Sequence, residues 1–322
     1  ENLSFAPGQM RVFRLTEKPT PTADKAYSKK LALPEKMDYK LSEPNVLVLD
    51  KVTCTLDGKP WTEGKSQDVL LLDRDLREHF SLTPRGGEMV QPWFAEKYGQ
   101  KDAVLGRLKI EYTFTSEIEC DVLVAAEYES IFFNGEPVER TERRWVDGCF
   151  RLFCAHVVRG RNTVSVDLDF RSRENLEAVY ILGNFGVTLP DKLVPLPEKL
   201  SPHDVGAQGL PFYGGAVSFH TGITQGRVRV RAEELRGASL HVEGGEKEEI
   251  IAFAPYEADM LLRSELVLTV YFTRRNTFGP HHLIPQPQRS YGPFSWTSEG
   301  EKRTEDYILV EQGFKPEVYA AE

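Results

Sequence analysis

The chain has 322 residues, 40% hydrophobic and 11% aromatic, with 40 Lys and Arg against 49 Asp and Glu for a formal net charge of -9. At roughly 100–200 residues per domain this length holds two cores of ordinary size. The acidic balance argues against a phosphate-tracking nucleic-acid binder, whose footprint is a basic stripe. No run approaches the roughly 18 consecutive apolar residues of a membrane-spanning helix, so neither nucleic acid nor membrane is expected among the partners.

The start, ENLSFAPGQM, shows neither the basic nor the apolar region of a signal peptide. Cys54, Cys120, Cys149 and Cys154 match no zinc spacing and read as buried free thiols, which points to a reducing, cytoplasmic setting. Residues 9–15 (QMRVFRL) alternate as a short strand, and EKPTPTADKAYSKK after them has the composition of a linker. Residues 1–44 are therefore an N-terminal strand and linker. That strand either closes a preceding domain or pairs within this chain.

A first β-sandwich is expected over residues 45–190. It opens with NVLVLDKVTCTLDGKPW, a strand and an Asp57-Gly58 turn. QDVLLLDRDLREHFSL (67–82) predicts a short helix. TPRGGEMVQPWFAEKY (83–98) has no period and reads as a loop carrying large side chains. Two further strands lead into residues 131–170, where an Asn134-Gly135 turn, a polar excursion ending at Trp145 and a Gly160 turn precede an alternating strand. A looser copy of that unit spans 239–272. The repeat predicts a second sandwich over 210–322, with 191–209 as the Pro-rich linker, DYILVEQGF as the last strand and residues 318–322 as a tail. The fold class is all-β, with two sandwiches and one or two short helices.

No P-loop, dinucleotide fingerprint or GxSxG elbow is present. His281 and His282 are adjacent, and on an extended chain they point to opposite faces, which makes joint metal ligation awkward. No cofactor is expected.

NVLVLDKVTCTLDGKPW, RGGEMVQPWF, NLEAVYILGNFGV, GLPFYGGAVSF, APYEAD and RRNTFGPHH together resemble the galactose-binding-like β-sandwich modules at the C-terminal end of large bacterial glycoside hydrolases. The type nearest in pattern is the multidomain enzymes related to family 2 glycosidases and α-L-rhamnosidases. The resemblance covers 45 to about 314. It implies tandem jelly-roll topology, a carbohydrate context and a separate catalytic barrel. That family's acid and nucleophile lie on the barrel, so no catalytic residue is carried over. Calcium is the ion such modules sometimes hold, although no clustered ligand motif supports it here. The expected partners are carbohydrate, the catalytic domain of the same polypeptide, or both.

Sugars bind by stacking ring faces on aromatics while charged and amide groups exchange hydrogen bonds with hydroxyls. Three loops have that mixture: Arg85, Glu88, Gln91 and Trp93; then Arg143, Arg144, Trp145 and Asp147; then Arg274, Arg275, Asn276, His281, Tyr291 and Trp296. The first and third read first as an interdomain or catalytic-barrel interface, where Trp, Tyr and Arg are also enriched, and Trp145 first as a core anchor at the sandwich edge, with a sugar contact as the alternative for each. The expectation is a non-catalytic binding or scaffolding region of a glycoside hydrolase, without activity of its own. A free-standing glycan-binding protein is the rival, and a complete glycosidase would need paired acids in a deep pocket.

Overall fold

The structure, a computed structural model, describes residues 10, 27–83, 103–146, 148–285 and 291–321. Apart from Met10, the strand read at residues 9–15 lies outside them. The architecture is all-β, with the two α-helices Val69–His79 and Arg275–Phe278 among the described residues. None of these helices is long and apolar enough to cross a membrane.

The chain divides into two units. The first comprises Glu1–Glu43, Pro197–Arg274 and Val310–Glu322, and the second Pro44–Leu196 and Arg275–Leu309. In the first unit one sheet has the order Tyr27–Leu31, Gly313–Ala321, Gly226–Arg236, Glu257–Leu262. The other runs Asp38–Leu41, Ala216–His220, Val267–Tyr271, Ser239–Glu243, Glu249–Ile251. Phe219 and Phe314, one from each sheet, meet at 6.0 Å in the core between them.

The second unit repeats this connectivity strand for strand. Asn45–Leu49, Val179–Gly183, Cys120–Ala126 and Phe150–Val157 lie side by side, with Arg140–Trp145 added at the edge. The core of the other, nine-stranded sheet runs Lys51–Leu56, Val104–Ser116, Gly160–Arg171, Phe132–Phe133, Glu136–Pro137. Lys59–Pro60 and Gln67–Asp68 are added on Lys51–Leu56, and Lys192–Val194 followed by Gly186–Thr188 on Val104–Ser116. The similarity of residues 131–170 and 239–272 is thus a sequence trace of a shared topology. The glycine turns it turned on are real. Asn134 and Gly135, at φ of 50° and 88°, make the tight turn between Phe132–Phe133 and Glu136–Pro137, and only such turns match the right-handed strand twist.

Alternation places the core. Leu108, Ile110, Tyr112 and Phe114 of one long strand are fully buried, as are Val164 and Phe170 of its partner, which is the period-2 pattern of a sheet with one face inward. Four readings from sequence differ from the structure. Residues 27–41, read within an N-terminal linker, hold the strands Tyr27–Leu31 and Asp38–Leu41 of the first unit's two sheets. The segment 275–309 joins the second unit rather than continuing the first. DYILV is not a strand; the closing strand is Gly313–Ala321, which includes most of the expected tail. Its Pro316, opposite Ala232, disguised a central strand as a terminus. Of the four free thiols only Cys54 is buried, while Cys149 and Cys154 are exposed. Burial pushes the Cys54 thiol up to about 12.

The helix Val69–His79 starts where Asp68 caps it, its Oδ1 accepting from the amides of Leu70 at 2.8 Å and Leu71 at 3.4 Å. It buries Val69, Leu72, Asp73, Leu76 and Arg77, the stripe of an amphipathic helix. Two members of that stripe are charged. Arg77 Nε lies 2.8 Å from Asp73 Oδ2, each side chain 2% exposed, and the guanidinium also donates to the carbonyls of Ser172 and Glu174 at 3.2 and 2.5 Å. Removing one partner of such a pair strands a buried charge. Asp73→Ala is expected to cost about 3–5 kcal/mol in urea unfolding, and Asp73→Ala with Arg77→Met to recover much of it; an equal loss in both variants would place the cost elsewhere.

Candidate functional site

The second unit carries a recess of ≈ 210 Å³, and its lining includes Asp50, Asp68, Phe150, Tyr180, Phe278, His282 and Trp296. Backbone pairing sets its floor. Asp50 is the single residue between Asn45–Leu49, in one sheet, and Lys51–Leu56, in the other. Lys51 pairs across to Asp68, which brings the helix cap beside Asp50. The amide of Val69 bonds the Asp50 carbonyl at 2.8 Å.

The segment 275–309 supplies the other side. Residues 281–284 and 302–308 are laced together: Thr304 N–H donates to His282 C=O at 3.0 Å, Ile308 N–H to His281 C=O at 2.6 Å, and Ile284 N–H to Lys302 C=O at 2.9 Å. This presents His281, His282, Arg303 and Tyr307 to the two aspartates. Tyr307 hydroxyl donates to Asp50 Oδ1 at 2.7 Å. His282 Nε2 lies 3.1 Å from Asp50 Oδ2 and 3.9 Å from Asp68 Oδ2, and His281 Nδ1 lies 3.7 Å from that same Asp50 oxygen. Arg303 Nη1 is 3.5 Å from Asp68 Oδ2.

These neighbours separate two chemically identical acids. Burial works to raise Asp50, but His282, His281 and Tyr307 outweigh it and hold the carboxyl below its ordinary range. Burial and the charge of Asp50 push Asp68 up, against the opposing pull of Arg303 and His282. Burial lowers His281, and burial together with Asp50 carries Tyr307 well above the usual phenol.

Above this floor stands an aromatic wall. Trp145 lies 5.6 Å from Phe150, 5.3 Å from Tyr180 and 5.8 Å from Phe278, centroid to centroid. Phe150 and Phe278 stack at 5.9 Å and 12°. The indole N–H of Trp296 donates to the Phe278 backbone carbonyl at 2.7 Å, which orients the indole beside that residue.

Of the residues singled out from sequence, His281 and Trp296 line the recess, the backbone carbonyl of Asn276 accepts from His281 Nε2 at 2.9 Å, and Trp145 backs its wall. Arg144 is exposed and donates to the Gly148 carbonyl at 3.0 Å, with Arg143 exposed beside it. Tyr291 is exposed, its ring 5.5 Å from the Arg275 guanidinium carbon. Arg274 belongs to the first unit, where it grips Glu43 with Nη2 at 2.7 Å from Oε2. Arg85, Glu88, Gln91, Trp93 and Asp147 lie outside the described residues.

Sequence reasoning missed Asp50, Asp68 and Tyr307, and it set His282 aside with His281 as pointing apart. Residues 281 and 282 form no strand, so period 2 does not apply and both rings turn to Asp50. The legible signals were an acid lodged between two apolar strands in VLVLDKVTC and a capping Asp before VLLL. Asp50, Asp68 and His282 are placed so that a metal ion would find three ligand atoms.

No protein-family model matches the chain, and no curated protein matches it. Among solved structures, one of a β-D-mannosidase from Dictyoglomus thermophilum is similar over 77% of this chain and 32% of that chain, at 13% identity and a TM-score of 0.25. The chain thus spans about a third of that protein's length. A likeness at this level carries no argument about fold or activity.

Tyr307→Phe deletes the donor to a buried carboxylate at little cost in volume. It is expected to lower stability by about 1–3 kcal/mol, read as a lower urea midpoint at unchanged slope; no shift would mean that Asp50 does not depend on the hydroxyl.

Proposed function

We propose that the chain is a carbohydrate-binding, non-catalytic β-sandwich region of a larger glycoside hydrolase, and that the recess of the second unit takes one sugar ring. The observation that carries this reading is the pairing of an aromatic wall with a polar floor in a space of ≈ 210 Å³. That is below the roughly 300–1,000 Å³ of sites for drug-sized ligands and suits a single ring. The half-buried Phe278 and Trp296 offer surfaces to the apolar face of a pyranose, and Glu177, His281 and Asp68 offer partners to its hydroxyls. Three segments that carry the glycosidase resemblance meet here: NVLVLD brings Asp50, NLEAVYILG brings Glu177 and Tyr180, and RRNTFGPHH brings Phe278 and both histidines.

The non-catalytic part of the reading rests on how the acids are used. Both oxygens of Asp50 are engaged, by Tyr307 and His282, and Asp68 Oδ1 caps a helix. One observation favours a second reading, a complete glycosidase: two neighbouring carboxyls are pushed in opposite directions, the pattern of a general acid beside a base.

A glycan array paired with aryl-glycoside hydrolysis, rhamnosides and galactosides included, separates the two. Binding without turnover is expected. Trp296→Ala should weaken retention ten-fold or more and leave the melting temperature within a few degrees, since a half-buried indole contributes less to the core than a buried one. Turnover lost in Asp68→Asn would make the chain an enzyme. A large stability loss in Trp296→Ala with no glycan retained by the parent chain would reduce the recess to packing.

A further inference from the structure

We infer that Asp50, Asp68 and His282 form a binding site for one divalent transition-metal cation of the zinc class. The inference rests on the ligand set and does not depend on the sugar reading. The ligand atoms lie within 4.8 Å of one another, on side chains that are 7%, 5% and 4% exposed. The separations of His282 Nε2 from Asp50 and Asp68 Oδ2, 3.1 and 3.9 Å, bracket the roughly 3.3 Å edge of a tetrahedron with ~2.0–2.1 Å bonds.

A second observation comes from outside the cluster. Each of the three residues has its other polar atom held by a group that is not itself a ligand. Tyr307 hydroxyl donates to Asp50 Oδ1 at 2.7 Å. The amides of Leu70 and Leu71 donate to Asp68 Oδ1 at 2.8 and 3.4 Å. His282 Nδ1 faces the Asp306 carbonyl at 3.3 Å, a bond in which only the ring nitrogen can donate. With Nδ1 on that carbonyl, Nε2 is the ring atom that faces the Asp50 and Asp68 Oδ2 oxygens. Three candidate ligand atoms thus converge on one point, each on a side chain whose orientation is fixed from outside the cluster. Outer bonds that fix the tautomer of a histidine and the orientation of a carboxylate are what ordinarily surrounds a metal.

The donors decide which metal. One imidazole nitrogen and two carboxylates suit zinc, cobalt or nickel, whereas calcium takes six to eight oxygens. All three residues line the recess, so a further coordination position faces its interior. The competing arrangement is the hydrogen-bonded network alone, in which His282 and Arg303 pair the two aspartates without an ion.

The test is titration of the chelator-stripped chain with Co²⁺, followed by visible absorption and thermal unfolding. One equivalent is expected to bind, with the intense visible bands of four- or five-coordinate cobalt, a raised melting temperature and displacement of the bands by Zn²⁺. His282→Gln is expected to abolish the bands and weaken binding at least a hundred-fold, while Glu305→Gln, at an exposed acid nearby, should leave both unchanged. If the parent chain binds no Co²⁺ stoichiometrically, or shows only weak six-coordinate binding to surface acids, the inference is overturned and the hydrogen-bonded network alone stands. Bands that persist in His282→Gln overturn it equally. The parent titration decides the matter even if that variant does not fold.

Discussion

One buried carboxylate ties the second unit together. Asp50 is the only residue between a strand of one sheet and a strand of the other, so the crossing between sheets turns on it. An ionised carboxylate out of water is costly unless its oxygens find donors. Its partners come from residues 281, 282 and 307, more than two hundred positions along the chain, while the Asp50 backbone carbonyl accepts from the Val69 amide at the start of the helix Val69–His79. The requirement to satisfy Asp50 thus explains why a segment with little regular structure is held against a β-sandwich. A long irregular stretch of that kind is usually functional.

The repeated connectivity shows where that segment belongs. In the first unit the chain passes from Asp38–Leu41 to Ala216–His220, and the whole stretch Pro44–Leu196 is inserted between them. In the second unit the corresponding link, from Lys51–Leu56 to Val104–Ser116, contains the helix Val69–His79 and its cap Asp68. Two copies of one strand order therefore differ chiefly in what is inserted. The insertion in the second unit is what places an acid and a helix N-terminus beside Asp50. A buried Arg77–Asp73 pair then fastens the helix to the backbone at Ser172 and Glu174.

Much of the β architecture was legible. Asp57-Gly58 and Asn134-Gly135 marked their hairpins, alternation marked Val104–Ser116 and Gly160–Arg171, and the repeat foreshadowed the common strand order. The site was legible only in part, and the reason is physical. Aromatic and basic loops advertise themselves by composition, and of the residues singled out that way His281 and Trp296 line the recess while Trp145 and Asn276 lie beside it. Asp50 and Tyr307 sit in runs that look like strand, and their role exists only once distant segments meet. Composition also exposed Arg274 and Tyr291, yet Arg274 is spent on Glu43 in the first unit and Tyr291 is exposed. A residue type shows what a side chain can do; contacts formed across hundreds of positions determine what it does.

Hydrogen exchange on Asp50→Asn tests the central role of this carboxylate most directly. The amides of Thr304 and Ile308, which bond the carbonyls of His282 and His281, are expected to lose protection ten-fold or more, on the order of 1.4 kcal/mol of local opening. Protection across the paired strands Val104–Ser116 and Gly160–Arg171 should persist. Unchanged exchange at Thr304 and Ile308, or a loss spread evenly over the β-sandwich, would contradict the account.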